Sequence, residues 1–284
     1  MIDVNDLTYH GIKNANGKAQ PRFLYHYTSF DSALKIFDAG KLMMRSLSNM
    51  NDPFEFLNRN HGVFYNGCPT GKELSSMVTK HTHAHAERSN GVRMAAFSVD
   101  NEDHKILHKG WNLFSNWTWY GQNHAGVCLV FDYEHLVNDF NSYFDNSSCK
   151  HEHGLITYAA DFDTYEDMFG EPHESFTDET HIDHLFTKPD SYEREQEYRF
   201  LIVDAKMDNP NTPVFMPIKT SLCGVITGYK FPLSNKLTDG IITACNNLGY
   251  NLSWFYFDNT FGNPLRSYAN DKELYKKCGI DNLC

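Results

Sequence analysis

A strand followed directly by a helix, near the amino terminus, constrains the fold of this chain most strongly. Pro21 to Tyr27 is rich in aromatic residues that favour a β-strand. Ser29 or Asp31 can cap the helix that follows, whose apolar residues recur at helical spacing. Gly40 can end that helix in the left-handed conformation. This unit places His26, and a hydroxyl two residues later, at the end of a strand, where both can face one side of a cleft.

Short strands and helices alternate irregularly along the rest of the chain. The predicted strands are Leu42–Leu47, Val92–Val99, Val127–Asp132, Gly154–Ala159, Glu197–Val203, Val214–Ile218, Leu222–Thr227 and Leu252–Phe257. The predicted helices are 70–90, Tyr133–Phe144, Ser234–Asn247 and the polar tail through Lys277. This irregular order is typical of an α+β fold rather than of repeated βαβ units.

The domain prediction follows from the distribution of polar residues. Residues 1–20 are polar and are expected to form a flexible arm, and residues 21–284 are expected to form one domain, because no linker rich in Pro or Gly interrupts them. A strongly acidic stretch predicts a helical insertion at about 133–190.

The composition limits the class of protein. Apolar residues make up 41% of the 284 residues, which is enough for a core. The net charge of −11 argues against tight nonspecific binding to nucleic acid, although a local basic groove is compatible with it. No apolar run reaches the roughly 18 residues of a membrane span, and the amino terminus lacks the apolar segment of a signal peptide. Seven scattered cysteines without a CxxC pair indicate reduced thiols in a cytoplasmic protein.

Charged side chains cluster where the strand Glu197–Val203 begins. Alternation along a strand would place Glu195, Glu197 and Arg199 on one face. Two carboxylates and a guanidinium beside an apolar strand are costly unless they are solvated or used. They form an ion pair at a strand entrance, or they supply a carboxylate that stabilises a developing cation or orients a hydroxyl nucleophile.

A second cluster lies in the aromatic stretch from Trp117 to Gly126. Trp117, Tyr120 and His124 can line a cleft, and Gly121 and Gly126 allow the backbone to approach a neighbour closely. The commoner role for such aromatic residues is in a core.

The histidines do not predict a metal site. His81, His83 and His85 alternate within a predicted helix, where residues two apart do not face together. His181 and His184 have the spacing of one helical turn but lack a convergent third ligand. Phosphate-binding and nucleophile-elbow motifs are likewise absent from the sequence.

The motifs of this chain resemble those of a known family. The sequence from Leu24 to Ser29 resembles the NAD-binding entry of ADP-ribosyltransferases, most closely the His-x-Thr entry of DarT-type nucleic-acid-modifying toxins and of RNA 2′-phosphotransferases. Five motifs together resemble a bacterial family labelled only as a domain of unknown function. They occur in the family's order at His26–Ser29, Asn51–Glu55, Phe97–Ser98, Trp117–Gly126 and Glu195–Arg199.

The resemblance implies a set of NAD-binding residues. His26 would bond the NAD ribose, and the Tyr27–Thr28 backbone with the Thr28 hydroxyl would hold the nicotinamide amide. Tyr120 would stack on the nicotinamide ring. The Ser-Thr-Ser motif of many ADP-ribosyltransferases has its nearest counterpart at Ser98.

The resemblance also implies catalytic residues. Glu197 would bond the ribose 2′-hydroxyl and stabilise the oxocarbenium ion, and Glu195 would position or activate the acceptor. The two carboxylates can exchange these roles. The lone catalytic tyrosine of many ADP-ribosyltransferases can correspond to Tyr120 or Tyr27.

The fold and function implied by the resemblance are specific. The fold is a split sheet of mixed or antiparallel strands with helical insertions. The function is transfer of ADP-ribose from NAD, a co-substrate, to a macromolecule, with RNA or single-stranded DNA favoured over protein. The protein would be a bacterial toxin or anti-phage defence effector with a neutralising antitoxin partner. An NAD glycohydrolase and an inactive nucleotide- or partner-binding module are the alternatives.

Overall fold

A ten-stranded sheet organises the part of the chain that the structure describes. The structure is a computed structural model, and it describes residues 1–9, 12–15, 18–49, 72, 90–101, 105–159, 185–204, 206–207, 209–232, 249–250, 252–257 and 265–267. The strands are β1 Ile12–Ala15, β2 Lys18–Pro21, β3 Phe23–Thr28, β4 Lys41–Ser46, β5 Val92–Ser98, β6 Val127–Asp132, β7 Lys150–Leu155, β8 Thr157–Ala159, β9 Thr187–Pro189, β10 Glu197–Val203, β11 Val214–Pro217, β12 Leu222–Thr227, β13 Ser253–Phe257 and β14 Leu265–Ser267. The described α-helices are α1 Val4–Tyr9, α2 Phe30–Ala39, α3 Phe114–Trp119 and α4 Tyr133–Phe144.

The strand order of the main sheet is β11-β4-β5-β3-β6-β12-β13-β14, with β10 also paired to β5 and β7 paired to β10. Within this sheet every described pair is antiparallel except β12 with β13. The protein is therefore a mixed α+β fold with a mostly antiparallel sheet, which confirms the α+β class predicted from the sequence.

The sheet splits along one edge of β5. Its first edge pairs with β10 along the whole strand. Its second edge is shared, because β4 pairs with Arg93 and Met94 at one end and β3 pairs with Ser98 at the other. Among the described strands, none pairs with this second edge at Ala96, between the two pairings. We call this place the split.

Each face of the sheet has its own core. On one face Leu24, Phe97 and Phe200 pack with residues of α2 and α4, and we call it the α2–α4 face. On the other, Tyr25 and Tyr27 pack with residues of α3 and its flank, and we call it the α3 face. Because successive strand residues point to opposite faces, these cores fix the side on which each neighbouring side chain lies.

The helix α2 begins and ends as its sequence predicted. Ser29, rather than Asp31, is the amino-terminal cap, and its hydroxyl accepts a hydrogen bond from the Ser32 amide at 3.2 Å. Gly40 follows the last turn with φ of 61°, a conformation that suits glycine, and its amide donates to the Ile36 carbonyl.

The first residues of the chain differ from the flexible arm predicted for residues 1–20. Leu7 in α1 is fully buried against the α3 face. Its carbonyl accepts a hydrogen bond from the Trp111 indole, and the Ile2 carbonyl accepts one from the Ser253 hydroxyl. The buried leucine, these hydrogen bonds and an ion pair between Asp6 and Arg22 hold this segment to the body, despite its polar composition.

Among the described residues of the stretch 133–190, an α-helix is present in the first part, as α4. The next described strands are β7, β8 and β9, and β7 pairs with β10 in the main sheet. His153 of β7 packs against Phe140 and Phe200, so side chains that look polar in sequence contribute to the core. Several predicted segments lie outside the described residues, namely the turn after Asn49, most of the helix 70–90, the acidic residues 160–184, the helix Ser234–Asn247 and the carboxyl-terminal tail.

Candidate active site

Four buried charged side chains form a cluster where β10 begins. Both oxygens of Glu197 accept hydrogen bonds from Arg199, at 2.5 and 3.1 Å, and one of them also lies 2.8 Å from the Lys188 ammonium. The same ammonium lies 2.9 Å from Glu195. All four residues are buried, and Arg199 is fully so. We call them the ionic cluster.

A left-handed residue separates the two carboxylates. Glu195 ends the 3-10 helix Asp190–Glu195, Gln196 has φ of 47° and ψ of 52°, and β10 starts at Glu197. Glu195 is therefore not on the strand, which differs from the prediction that three alternating residues share one strand face. Glu197 and Arg199 do share a face. Lys188 in β9, which sequence reasoning missed because nothing in its spacing marks it, brings Glu195 to them.

The charges around Glu197 keep it ionised. Burial alone would raise the pKa of its carboxyl, but Arg199 and then Lys188 outweigh burial and lower it to about 2. Glu197 is thus a carboxylate at any physiological pH. It can stabilise a positive charge, but it has no proton to donate as a general acid.

Ser98 lies next to Glu197 on the α3 face. The two residues are directly opposite each other in the pairing of β5 with β10. The Ser98 hydroxyl accepts a 2.7 Å hydrogen bond from the buried side-chain amide of Asn116 in α3. The backbone amide of Glu197 donates to the Tyr158 hydroxyl at 2.9 Å. These contacts tie Ser98 to α3 and the Glu197 backbone to Tyr158.

Tyr120 connects the ionic cluster to the surface. Its ring is 45% exposed, and its hydroxyl lies 3.5 Å from the second oxygen of Glu195. The structure therefore brings together four of the residues implied by the family resemblance: Tyr120, Glu195, Glu197 and Ser98.

His26 lies on the opposite side of the sheet from Glu197. It alternates with Tyr25 and Tyr27 and contacts Phe97, which places it on the α2–α4 face. Two strand spacings separate β3 from β10, so the Cα atoms of His26 and Glu197 are about 10 Å apart. Because the two side chains point to opposite faces of the sheet, they do not line a common pocket on one face.

The imidazole of His26 reaches into the split. Its Nδ1 is 3.0 Å from the Ala96 carbonyl oxygen, and because that oxygen can only accept, Nδ1 carries the proton. Burial lowers the pKa of His26, as does the nearby Arg45, and the hydrogen bond to Ala96 only partly opposes them. The ring is neutral at pH 7, and its Nε2 carries a lone pair that can accept from a hydroxyl. His26 and Ala96 are both partly exposed.

Tyr27 and Thr28 are held by the scaffold. The Tyr27 hydroxyl donates to the Gly110 carbonyl at 2.6 Å and accepts from the Leu113 amide at 3.2 Å, while its ring packs edge-on against Trp117. Thr28 is buried at the end of β3. The Tyr27 side chain is thus occupied in the α3-face core, which favours Tyr120 over Tyr27 as the exposed tyrosine of a site.

The stretch from Trp117 to Gly126 divides between core and surface. Trp117 and His124 are buried, with near-parallel rings whose centroids are 6.0 Å apart, while Tyr120 is exposed. A Cβ at Gly126 would lie 2.3 Å from the Thr28 carbonyl oxygen, so this position requires glycine. Of the three residues expected either to line a cleft or to belong to the core, Trp117 and His124 are therefore core residues. Only Tyr120 is placed to line a cleft.

Other features of the described residues lie away from the ionic cluster. A surface cleft of about 340 Å³ is lined by Met1, Ile2, Lys219, Thr220, Leu222, Cys223, Gly249 and Tyr250, none of which belongs to the candidate site. Across the described ranges, no group of three His, Cys, Asp or Glu side chains is placed to hold a metal ion. The helices described here include none that is long and apolar enough to cross a membrane.

Comparison with known proteins points to an uncharacterised family. A family model described as "Protein of unknown function (DUF2971)" matches residues 116–200, from α3 into β10. This stretch contains Tyr120, Glu195 and Glu197 but not His26. No curated protein and no solved structure matches the chain. Over these 85 residues the chain is similar to a domain family whose function is unknown.

Proposed function

We propose that this protein is an NAD-dependent ADP-ribosyltransferase that modifies a macromolecule, with its catalytic carboxylates at Glu195 and Glu197. The observation that carries the proposal is the ionic cluster, in which a buried carboxylate is kept ionised beside a second carboxylate that reaches the surface through Tyr120. A role as a toxin or anti-phage effector that an antitoxin neutralises belongs to the same proposal.

The reaction needs a fixed negative charge. The bond between nicotinamide and ribose breaks, nicotinamide leaves with the electron pair, and positive charge develops on the ribose. The acceptor then forms a bond to the same ribose carbon and loses a proton. A preorganised carboxylate stabilises this transition state more than the ground state, because the cation exists only in the former. Glu197 meets this requirement because it is ionised at any physiological pH.

Lys188 is the contact that a substrate can displace. Arg199 is fully buried and bonds Glu197 through two nitrogens, whereas Lys188 divides one ammonium between two carboxylates. A ribose hydroxyl that donates to Glu197 would replace the contact from Lys188 and leave that of Arg199 in place. Lys188 would then remain with Glu195, whose other oxygen faces Tyr120.

The split supports an NAD path between His26 and the carboxylates. The sheet divides at β5, and the family resemblance implies a split sheet. The neutral imidazole of His26 lies in that division beside the partly exposed Ala96. A nicotinamide riboside has about the length needed to span the two strand spacings between His26 and Glu197. The ligand would have to pass through the split, since the two side chains belong to opposite faces.

A second candidate function is that of a non-catalytic binding module. The observation that favours it is that both Glu197 oxygens are already paired with cations. A purely structural ion cluster would look the same. Nicotinamide release distinguishes the two functions, and free ADP-ribose without a labelled acceptor would identify an NAD glycohydrolase.

The test is incubation with labelled NAD, followed by measurement of nicotinamide release and of label on protein and nucleic acid. Glu197→Gln should slow nicotinamide release by about 100-fold or more. Glu193→Gln is the matched control, because Glu193 is exposed in the same 3-10 helix and should be silent. Since removing one member of a buried ion pair costs about 3–5 kcal/mol, thermal melting must show that the variant is folded. Absence of both NAD binding and nicotinamide release in the wild type would refute the proposal without any variant.

A further inference from the structure

Four aromatic side chains stand exposed on α3, directly after α3 and directly after β12. The exposed fractions are 72% for Phe114, 65% for Trp119, 45% for Tyr120 and 51% for Tyr229. Aromatic side chains usually contribute large areas to cores and interfaces, so a group of exposed rings indicates a binding surface. We call these four residues the aromatic stripe.

The stripe leads to Glu195. The rings of Tyr229 and Phe114 both contact the buried His124, with centroids 4.5 and 5.1 Å from it. Trp119 is the last residue of α3, five residues after Phe114, and its ring contacts that of Tyr120 with centroids 6.5 Å apart. Tyr120 is the residue that meets Glu195.

The end of the stripe that contains Phe114 and Tyr229 is anchored to the scaffold through His124. Gln122, Asn123 and His124 all have positive φ, and this left-handed turn places the His124 ring between Phe114 and Tyr229. Such backbone is costly for non-glycine residues and persists only where its surroundings fix it. Rings that are ordered before binding lose little conformational entropy when a ligand stacks on them.

The charge around the stripe differs from that of the whole chain. The protein has a net charge of −11, yet residues 105–126 and 228–232 contain three lysines, Lys105, Lys109 and Lys230, and neither Asp nor Glu. Lys109 is buried and paired with Asp100. Lys230 lies 5.3 Å from the Tyr229 ring centroid. The adjoining 3-10 helix is of mixed sign, with Asp190, Glu193 and Arg194. The stripe is thus a locally non-acidic surface on an acidic protein, which suits a polyanion.

We propose that the aromatic stripe binds a single-stranded nucleic acid by stacking on its bases and presents one nucleotide to Glu195 as the acceptor. The acceptor role rests on the proposed function, whereas the binding does not. Every base offers a π-face to an aromatic ring, but only an unpaired strand exposes it. With two exposed lysines on these segments the stripe makes few phosphate contacts, so stacking carries most of the affinity.

The test is fluorescence anisotropy with labelled single-stranded RNA, single-stranded DNA and duplex probes of about 12 nucleotides, in the absence of NAD. Trp119→Ala and Tyr229→Ala should each weaken single-strand binding by roughly 5- to 150-fold. Tyr143→Ala is the matched control, because Tyr143 is 48% exposed but lies on α4, and it should leave binding unchanged. The slope of log K against log salt should be shallow, about −1 to −2, as expected for two phosphate contacts.

Each contrary outcome overturns the inference. The inference is overturned if the wild type binds neither single-stranded probe. It is also overturned if the wild type binds the duplex probe as tightly as the single-stranded probes. Unchanged single-strand binding in both stripe variants would overturn the inference as well. An equal loss of binding in the Tyr143→Ala control would do the same. Either result would leave a protein partner as the ligand of the stripe. A protein that binds the probe but releases no nicotinamide refutes the proposed function and leaves the stripe intact.

Discussion

Lys188 and Arg199 decide the behaviour of Glu197. Removing a carboxylate from water costs several kcal/mol of free energy. At Glu197, close contacts with the two cations offset that cost. The cluster contains two acidic and two basic side chains, so its net charge is zero when all four are ionised. Any change that removes one of them leaves an uncompensated buried charge, which couples the stability of the scaffold to the chemistry of the site.

The pH dependence of stability should reveal this coupling. Glu197 has a pKa of about 2 in the folded protein against an ordinary value of 4.5. A lowered carboxyl pKa stabilises the folded state above the unfolded pKa, and that stabilisation is lost as pH falls from 4.5 towards 2. The lost amount is at most ~3 kcal/mol. In urea unfolding, the gap between wild type and Glu197→Gln should therefore narrow over this range. A gap that stays constant from pH 7 to pH 2 would show that Glu197 has an ordinary pKa.

Single residues were the hardest part of the site to predict. Glu195 and Glu197 were identified from two carboxylates next to an apolar strand, and Tyr120 from its aromatic stretch. Lys188 carries no such mark, because its role depends on β9 passing beside the 3-10 helix. Tyr27 adjoins His26 in sequence, yet the alternation of β3 directs it into the other core.

Several elements, in contrast, follow closely from local sequence. The strands β6, β10 and β12 and the helix α4 have the bounds predicted for them. Each of the three strands contains an apolar run, and α4 is an amphipathic helix with a clear start, because the Asp132 side chain caps it by accepting from the His135 amide. The helix α3 was not predicted, because its aromatic and β-branched residues are poor helix formers. Burial of Trp117 and Asn116 stabilises it instead.

The turn after α3 gives a prediction for an element. Gly126 lies where this turn passes over the end of β3, and the nearest atom to an added Cβ is a backbone oxygen, that of Thr28, at 2.3 Å. Gly126→Ala should therefore destabilise the protein by about 2 kcal/mol or more, because a backbone atom cannot move aside as a side chain can. Urea unfolding measures the effect.

Gly154→Ala is the control for that substitution. The nearest atoms to a Cβ at Gly154 belong to the Phe186 side chain at 3.5 Å, an ordinary contact, so its stability should change by less than about 1 kcal/mol. If the two substitutions lowered the free energy of unfolding equally, the backbone near Gly126 would have to move easily away from an added Cβ.

At the scale of the whole molecule, the faces of the sheet decide which residues can meet. Side chains alternate between the two faces along each strand, and this alternation can be read from the sequence. Whether His26 and Glu197 lie on the same face of the sheet depends on the register of β3, β5 and β10. A slip of one residue in either pairing would exchange the faces. These strands are far apart in the chain, so local patterns do not fix their register. The packed amino terminus is a similar case, since Leu7 finds its partners on α3 and the distant β14.

The split in the sheet has a consequence for amide hydrogen exchange. In antiparallel strands the N–H and C=O of one residue point to the same edge, so the Ala96 amide, like its carbonyl, points into the split. We expect this amide to exchange with solvent faster than those of Ala95 and Phe97, whose N–H groups point to β10. Under the proposed function, NAD added to the protein should bind between His26 and Glu197 and slow that exchange selectively. The protection of a single backbone proton would then report occupancy of the site without any turnover.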